Sequence, residues 1–237
     1  DGTLVKEPGR TGSLWRIHYS VLVPSLICDH LALTPTRGEG TAETLHRFPA
    51  APGDLVLADR GFCTPGGIET LHQQAADVIV RWRSTSLPLY APQGERLDLL
   101  ARLRPLQTDQ IGAWPVNVHG EKQQIAGRIC ALRKSEAAAL KALRKIKRKA
   151  QQGGPDPKPE TLEFAQYIIV FTTLPAAEFS DSKVLEWYRI RWQIELVFKR
   201  LKTLAKLGQL PKRNAASSRA WLYGKLLIAL LGQKLIR

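Results

Sequence analysis

The chain has 237 residues, 44% hydrophobic and 24% charged, with a formal net charge of +14. This is the composition of an ordinary globular protein, and it contains no run of about 18 apolar residues that could span a bilayer. The excess of lysine and arginine suits a polyanion, either nucleic acid or an anionic membrane surface, because basic side chains release the counterions condensed on it.

The first elements read as strands. Residues "DGTLV" form a short extended run, and Ser13 to Val23, "SLWRIHYSVLV", is rich in β-branched and aromatic residues. The turn-forming stretch "KEPGRTG" between them predicts a hairpin, and "DHLALTPT" supplies a third strand. "TAETLHRFP" reads as a short helix capped by Thr41. The apolar run Leu55 to Ala58 ends at Asp59, with Arg60 and Gly61 next. Thr64 and Pro65 then open a helix reaching about Ala75, and "DVIVRWR" is another buried strand. This strand, helix, strand order points to an α/β sheet.

Residues 84–163 differ from their flanks. They carry possible strands at "WPVNVHG" and "QQIAGRICALR", a basic helix "SEAAALKALRKIKRKA", and a linker-like "QQGGPDPKPE". The segment reads as a largely β insertion, leaving residues 1–83 and 164–237 as a split core. In the basic helix, Lys141, Arg144, Lys145, Lys147, Arg148 and Lys149 form either a solvated face or a DNA-backbone contact. "FAQYIIVFTTL" restores a buried strand.

One long helix is predicted from Ser180 or Ser182, with Gly208 just past its end and Pro211 beyond, followed by a last helix from near Ser217 or Ser218. At 100° per residue, Trp187, Ile190, Ile194, Val197, Leu201 and Leu204 share an apolar stripe. Tyr188, Arg191, Glu195 and Lys202 share a narrow polar stripe beside it. Taken alone, Arg191 and Glu195 are an ordinary i,i+4 ion pair worth about 0.3–0.5 kcal/mol. Two aspartates alter that reading. Asp1 lies beside the first strand, and Asp59 ends a buried strand, where ligands bind in open α/β sheets. Three carboxylates can hold Mg²⁺, and two such ions clamp the oxygens of a phosphodiester displacement.

The spacing of Tyr188, Arg191, Glu195 and Lys202 resembles the YREK signature of DDE transposases of bacterial insertion sequences, in the hairpin-forming family numbered four. "DGT" at Asp1 and "ADRGF" around Asp59 resemble that family's first two acidic motifs. The resemblance implies an RNase H-like fold, a mixed sheet flanked by helices and interrupted by a largely β insertion. It implies that Asp1, Asp59 and Glu195 bind two Mg²⁺ or Mn²⁺ ions. Tyr188, Arg191 and Lys202 would contact DNA phosphates. Arg60, directly after Asp59, either helps to hold the strand or DNA backbone or is a surface arginine. The partners implied are transposon ends and target DNA, bound by a homodimer in a synaptic complex. The expected location is the bacterial cytoplasm, at the nucleoid. Trp82 and Trp114 are possible counterparts of a tryptophan that stabilises a flipped base in some relatives, with core packing the plainer role for each. His18 is either a structural strand histidine or a neighbour of the acidic cluster.

The chain contains no methionine and stops within an apolar helical pattern, so it reads as an internal piece lacking an N-terminal DNA-recognition region. Cys28, Cys63 and Cys130 are too scattered for a disulfide framework or zinc site and read as reduced thiols. Two other functions share these features: an RNase H-like nuclease that cuts without joining, and a non-catalytic DNA-binding remnant.

Overall fold

The computed structural model describes residues 1–6, 13–203, 205–208, 210 and 214–235. The chain divides into two compact units, Asp1–Pro49 with Arg191–Arg237, and Ala50–Ile190.

The first unit contains an antiparallel sheet in the order β1 (Gly2–Lys6), β2 (Ser13–Leu22), β3 (Ile27–Pro35). Alternation along β2 sends Trp15, Ile17 and Tyr19 into the core. Two helices cover them, α6 (Gln193–Thr203) and α7 (Ala215–Leu235). In α6 the buried residues are Ile194, Val197, Phe198 and Leu201, the i, i+3, i+4, i+7 spacing of one helical face. They join Val5, Ile17, Tyr19, Leu222 and Leu226 in one cluster, where Tyr19 meets Phe198 edge-on at 6.1 Å.

The second unit holds a five-stranded sheet ordered β4 (Leu55–Ala58), β5 (Asp77–Arg81), β8 (Tyr167–Thr172), β7 (Gln124–Arg133), β6 (Ile111–His119). Only β4 and β5 are parallel, so the sheet is mixed. The parallel pair needs a crossover, and α1 (Pro65–Gln73) supplies it, capped by the Thr64 side chain. The short helices α2 (Leu99–Leu103) and α4 (Pro159–Phe164) and the basic α3 (Glu136–Gln151) complete the connections, and α5 (Asp181–Ile190) packs on the sheet through Val184 and Leu185.

Two buried charges fasten this unit. The Glu69 carboxylate, on α1, accepts the amides of Glu121, Lys122 and Gln123 at 2.7, 2.9 and 3.0 Å, tying the β6–β7 turn to the helix. Burial would raise its pKa, but these donors outweigh it and hold the carboxyl below its usual range. Arg128, buried on β7, bonds Asp181 Oδ1 at 2.5 Å and the Phe179 carbonyl, anchoring the start of α5. Arg128→Met keeps the bulk but strands those acceptors, and a loss of about 1–3 kcal/mol is expected in urea unfolding. An unchanged midpoint would show that the anchor carries no stability.

The α/β class and the mixed sheet flanked by helices agree with expectation. Several details differ. The cap predicted at Thr41 is at Thr44, whose side chain accepts from the His46 amide at the start of a 3₁₀ turn, Leu45–Arg47. Thr41 instead donates to the Gly38 carbonyl. The helix predicted between Ser180 and Gly208 is two helices, with turn residues Arg191 and Trp192 between α5 and α6. At the junction the Ile194 and Glu195 amides donate three residues back, to the Arg191 and Trp192 carbonyls. The apolar stripe is shared between two cores, and α6 ends at Thr203. In the segment read as an insertion, β7 pairs with β8 and β6 pairs with β7 at the edge of the sheet. The "KEPGRTG" turn beyond Lys6, Leu204 and Pro211 lie outside the described residues.

Candidate active site

In the first unit the main chain of Asp1 exchanges both hydrogen bonds with Tyr19, each 2.9 Å, which continues the β1–β2 ladder to the first residue. The Asp1 Oδ1 accepts from the Gly2 amide at 2.8 Å. The Glu43 carboxylate, the far end of a flexible side chain, lies against Gly2, and a Cβ there would displace it. The Arg191 guanidinium then bridges two acids: Nη1 lies 3.1 Å from Asp1 Oδ2 and Nη2 lies 3.0 Å from Glu195 Oε1.

The bridge is asymmetric. The Arg191 and Asp1 side chains are 16% and 17% exposed, whereas that of Glu195 is 64% exposed. Burial of β1 and β2 holds Asp1 in place, while Glu195 projects from the first turn of α6, where the helix dipole favours a negative charge. Lys202 is exposed seven residues later, on the same side of α6.

His18 pairs with Gly2 in the β1–β2 register and is fully buried. Its Nε2 meets Thr34 Oγ1 at 2.9 Å. Burial, followed by Arg47 and Arg16, pushes its pKa down to about 4, so the ring is neutral near pH 7. This favours the structural role for His18.

In the second unit Asp59 stands at the C-terminal end of β4 and caps a 3₁₀ turn, Arg60–Phe62, by accepting the Gly61 amide at 2.6 Å. Arg60 is exposed on that turn. Tyr188, on the last turn of α5, is half-buried against the cluster containing Ile79 and Val184. Trp82 is 7% exposed, donates its indole N–H to the Leu87 carbonyl at 3.0 Å, and meets Phe164 edge-on. Core packing accounts for it. The Trp114 ring lies over Gly112, whose missing side chain makes room for it. Cys28, Cys63 and Cys130 are free thiols, and burial pushes the last two up to about 12.

Asp1, Arg191, Glu195 and Lys202 therefore lie in the first unit, and Asp59, Arg60 and Tyr188 in the second. Within each unit, the described residues contain no group of three or more His, Cys, Asp or Glu side chains arranged around one ion. The predicted set is still entirely of hard oxygen donors, which suits Mg²⁺ or Mn²⁺. Two of its members already share a cation, the Arg191 guanidinium. Sequence reasoning missed Glu43, whose place against Gly2 no spacing marks, and Trp192, 52% exposed between Arg191 and Glu195. An unmatched aromatic in the polar stretch was the available signal for the latter.

A model of the family described as "Transposase DDE domain" matches residues 35–231. The transposase for insertion sequence element IS421 of Escherichia coli is 32% identical over 243 residues, covering 100% of this chain and 65% of the relative. The transposase for IS231F of Bacillus thuringiensis subsp. israelensis is 25% identical, over 76% of this chain and 41% of the relative. The transposase for IS1151 of Clostridium perfringens is 23% identical, over 77% and 42%. The chain thus spans less than two thirds of the length of these relatives. No solved structure matches it.

Proposed function

The chain belongs to the transposase DDE domain family, and from that premise we propose that it is the catalytic part of a DNA transposase that cleaves transposon ends and joins them to target DNA. The observation that carries this reading is the Arg191 guanidinium held between Asp1 and Glu195, which gathers two acids from opposite ends of the chain. An i,i+4 ion pair needs only Arg191 and Glu195, and Asp1 is the third member that such a pair does not require.

In this proposal Asp1, Asp59 and Glu195 hold two ions, Mg²⁺ or Mn²⁺. When bound, these supply the Lewis acidity that stabilises the attacking and leaving oxygens of a phosphodiester displacement. Water attacks the phosphorus at the transposon end and frees a 3′-hydroxyl. That hydroxyl displaces a phosphodiester of the opposite strand, closing a hairpin, and later attacks target DNA. Each displacement forms one P–O bond and breaks another. Arg191 and Lys202 offer charge to the phosphates near the ends, joined by Tyr188 and Arg60. Two chains act together on two ends, at the nucleoid in the bacterial cytoplasm. Among the described residues no helix is long and apolar enough to cross a membrane.

The test is to incubate the full-length protein with pre-cut ends of its own element and supercoiled target DNA in Mg²⁺ or Mn²⁺. Joined product is expected. Cutting without joining would make the protein a nuclease, and DNA binding with neither reaction would make it a binding module.

A further inference from the structure

A cleft of about 440 Å³ opens in the second unit. Six cations line it: Arg60, Arg81, Arg83, Lys134, Lys145 and Lys149. No carboxylate stands among the described residues of its walls. They come from four separate stretches of chain. Arg60 follows β4, Arg81 ends β5 with Arg83 just beyond, Lys134 follows β7, and Lys145 and Lys149 lie on α3. Only the fold brings them together. The inner two are positioned by main-chain carbonyls: Arg81 donates to Tyr167 O at 2.9 Å, and Lys134 donates to Ala165 O. Like charges crowded at one site repel unless an anion enters. The crowding is felt at Lys134, where burial, followed by Arg81 and Arg60, lowers the pKa to about 8.

The face that α3 turns to the cleft is Ala142, Lys145, Ile146 and Lys149. Its small and apolar members pack inward, and its two lysines stand about 6 Å apart along the helix axis. A row of cations at that spacing suits a polymer with regularly repeated negative charge better than one small anion.

We propose that this cleft is a docking site for the DNA backbone, with consecutive phosphates of one strand lying along Lys145 and Lys149 and reaching inward toward Arg81 and Lys134. The proposal rests on the transposase reading and adds to it a phosphate-binding surface that runs from Arg60, in the second acidic motif, to Lys145 and Lys149 on α3. It also divides the basic run of α3. Lys145 and Lys149 face the cleft, whereas Arg144 and Lys147 point to the opposite side of the helix.

The experiment compares the full chain, K145Q/K149Q and R144Q/K147Q, measuring the affinity for a mixed-sequence DNA duplex as salt is raised. All four positions are exposed on α3, so both pairs fold and each removes the same charge. K145Q/K149Q is expected to weaken binding roughly tenfold or more near 0.1 M salt. It is also expected to lower the slope of log K against log salt by up to about 2, at about 0.9 for each phosphate no longer neutralised. The slope of R144Q/K147Q should stay close to wild type. Equal effects from the two pairs, or none from either, would overturn the proposal and leave α3 a solvated charged face. Inorganic phosphate bound by wild type and released by K145Q/K149Q, with the DNA slope unchanged, would assign the cleft to a small anion and also overturn it. Nicking of supercoiled DNA by the same wild-type preparation separates the two levels. Nicking with unseparated slopes removes the cleft alone, and neither nicking nor DNA binding removes the transposase reading with it.

Discussion

Glu195→Gln is expected to reduce strand cleavage by the full-length protein on the order of 10³-fold or more, while DNA binding and folding persist. The two roles open to this residue separate cleanly here. As an ion-pair partner, 64% exposed and four residues from Arg191, it contributes at most about 0.5 kcal/mol, or a shift in Tm of roughly 1–2 °C. As a metal ligand it supplies charge that glutamine cannot replace. Arg191 keeps its bond to Asp1 in the variant, so the local arrangement survives. Cleavage of labelled end DNA, with melting measured on the same samples, decides the matter. A variant that cuts like wild type would refute the catalytic role of Glu195.

Phe171→Ala is expected to cost about 3–5 kcal/mol of stability, lowering Tm by roughly 6–20 °C. Phe171 lies on β8, the central strand, paired with Val80 on one side and Ile129 on the other, and is fully buried. Its ring lies so close over Gly127 that a Cβ there would meet it at 2.6 Å. Gly127 has no side chain to fill the space that the ring would leave, so truncation is expected to leave a cavity as well as losing buried apolar area. A measured loss below about 1 kcal/mol would mean that the sheet collapses around the gap. The same crowding explains a glycine within β7: any side chain at 127 would also meet the Thr172 carbonyl, at 2.6 Å.

Part of the local structure around the candidate residues was legible in advance because its signals are local or depend on spacing. Asp59 after "LVLA" announces a strand end, since an apolar run that stops at a carboxylate followed by glycine has few other readings. Thr64 and Pro65 announce a helix start for an equally local reason. Arg191 and Glu195 are neighbours by their spacing alone. That Asp1 is bound to the same guanidinium was not legible, because it depends on β1 pairing with β2 while α6 packs over β2. The basic cleft was hidden for the same reason. Arg81 falls within the predicted strand "DVIVRWR" and Lys134 just past the possible strand "QQIAGRICALR", and neither is unusual until α3 lies near both.

The helix break shows the limit most clearly. A continuous 3.6-residue pattern runs through Arg191, and periodicity cannot reveal that its apolar stripe changes partners. Val184 and Leu185 are buried with the five-stranded sheet, Ile194 and Val197 with the three-stranded one. Sequence alone determined which residues are apolar on each face, where strands end, the surplus positive charge and the spacing of the motif. These follow from the chemistry of side chains close together along the chain. Tertiary structure alone decided which core each half of that helix serves, which acid Arg191 holds besides Glu195, and where the scattered cations gather. Those outcomes depend on contacts between residues far apart in sequence, whose free energy exists only once the sheets have formed.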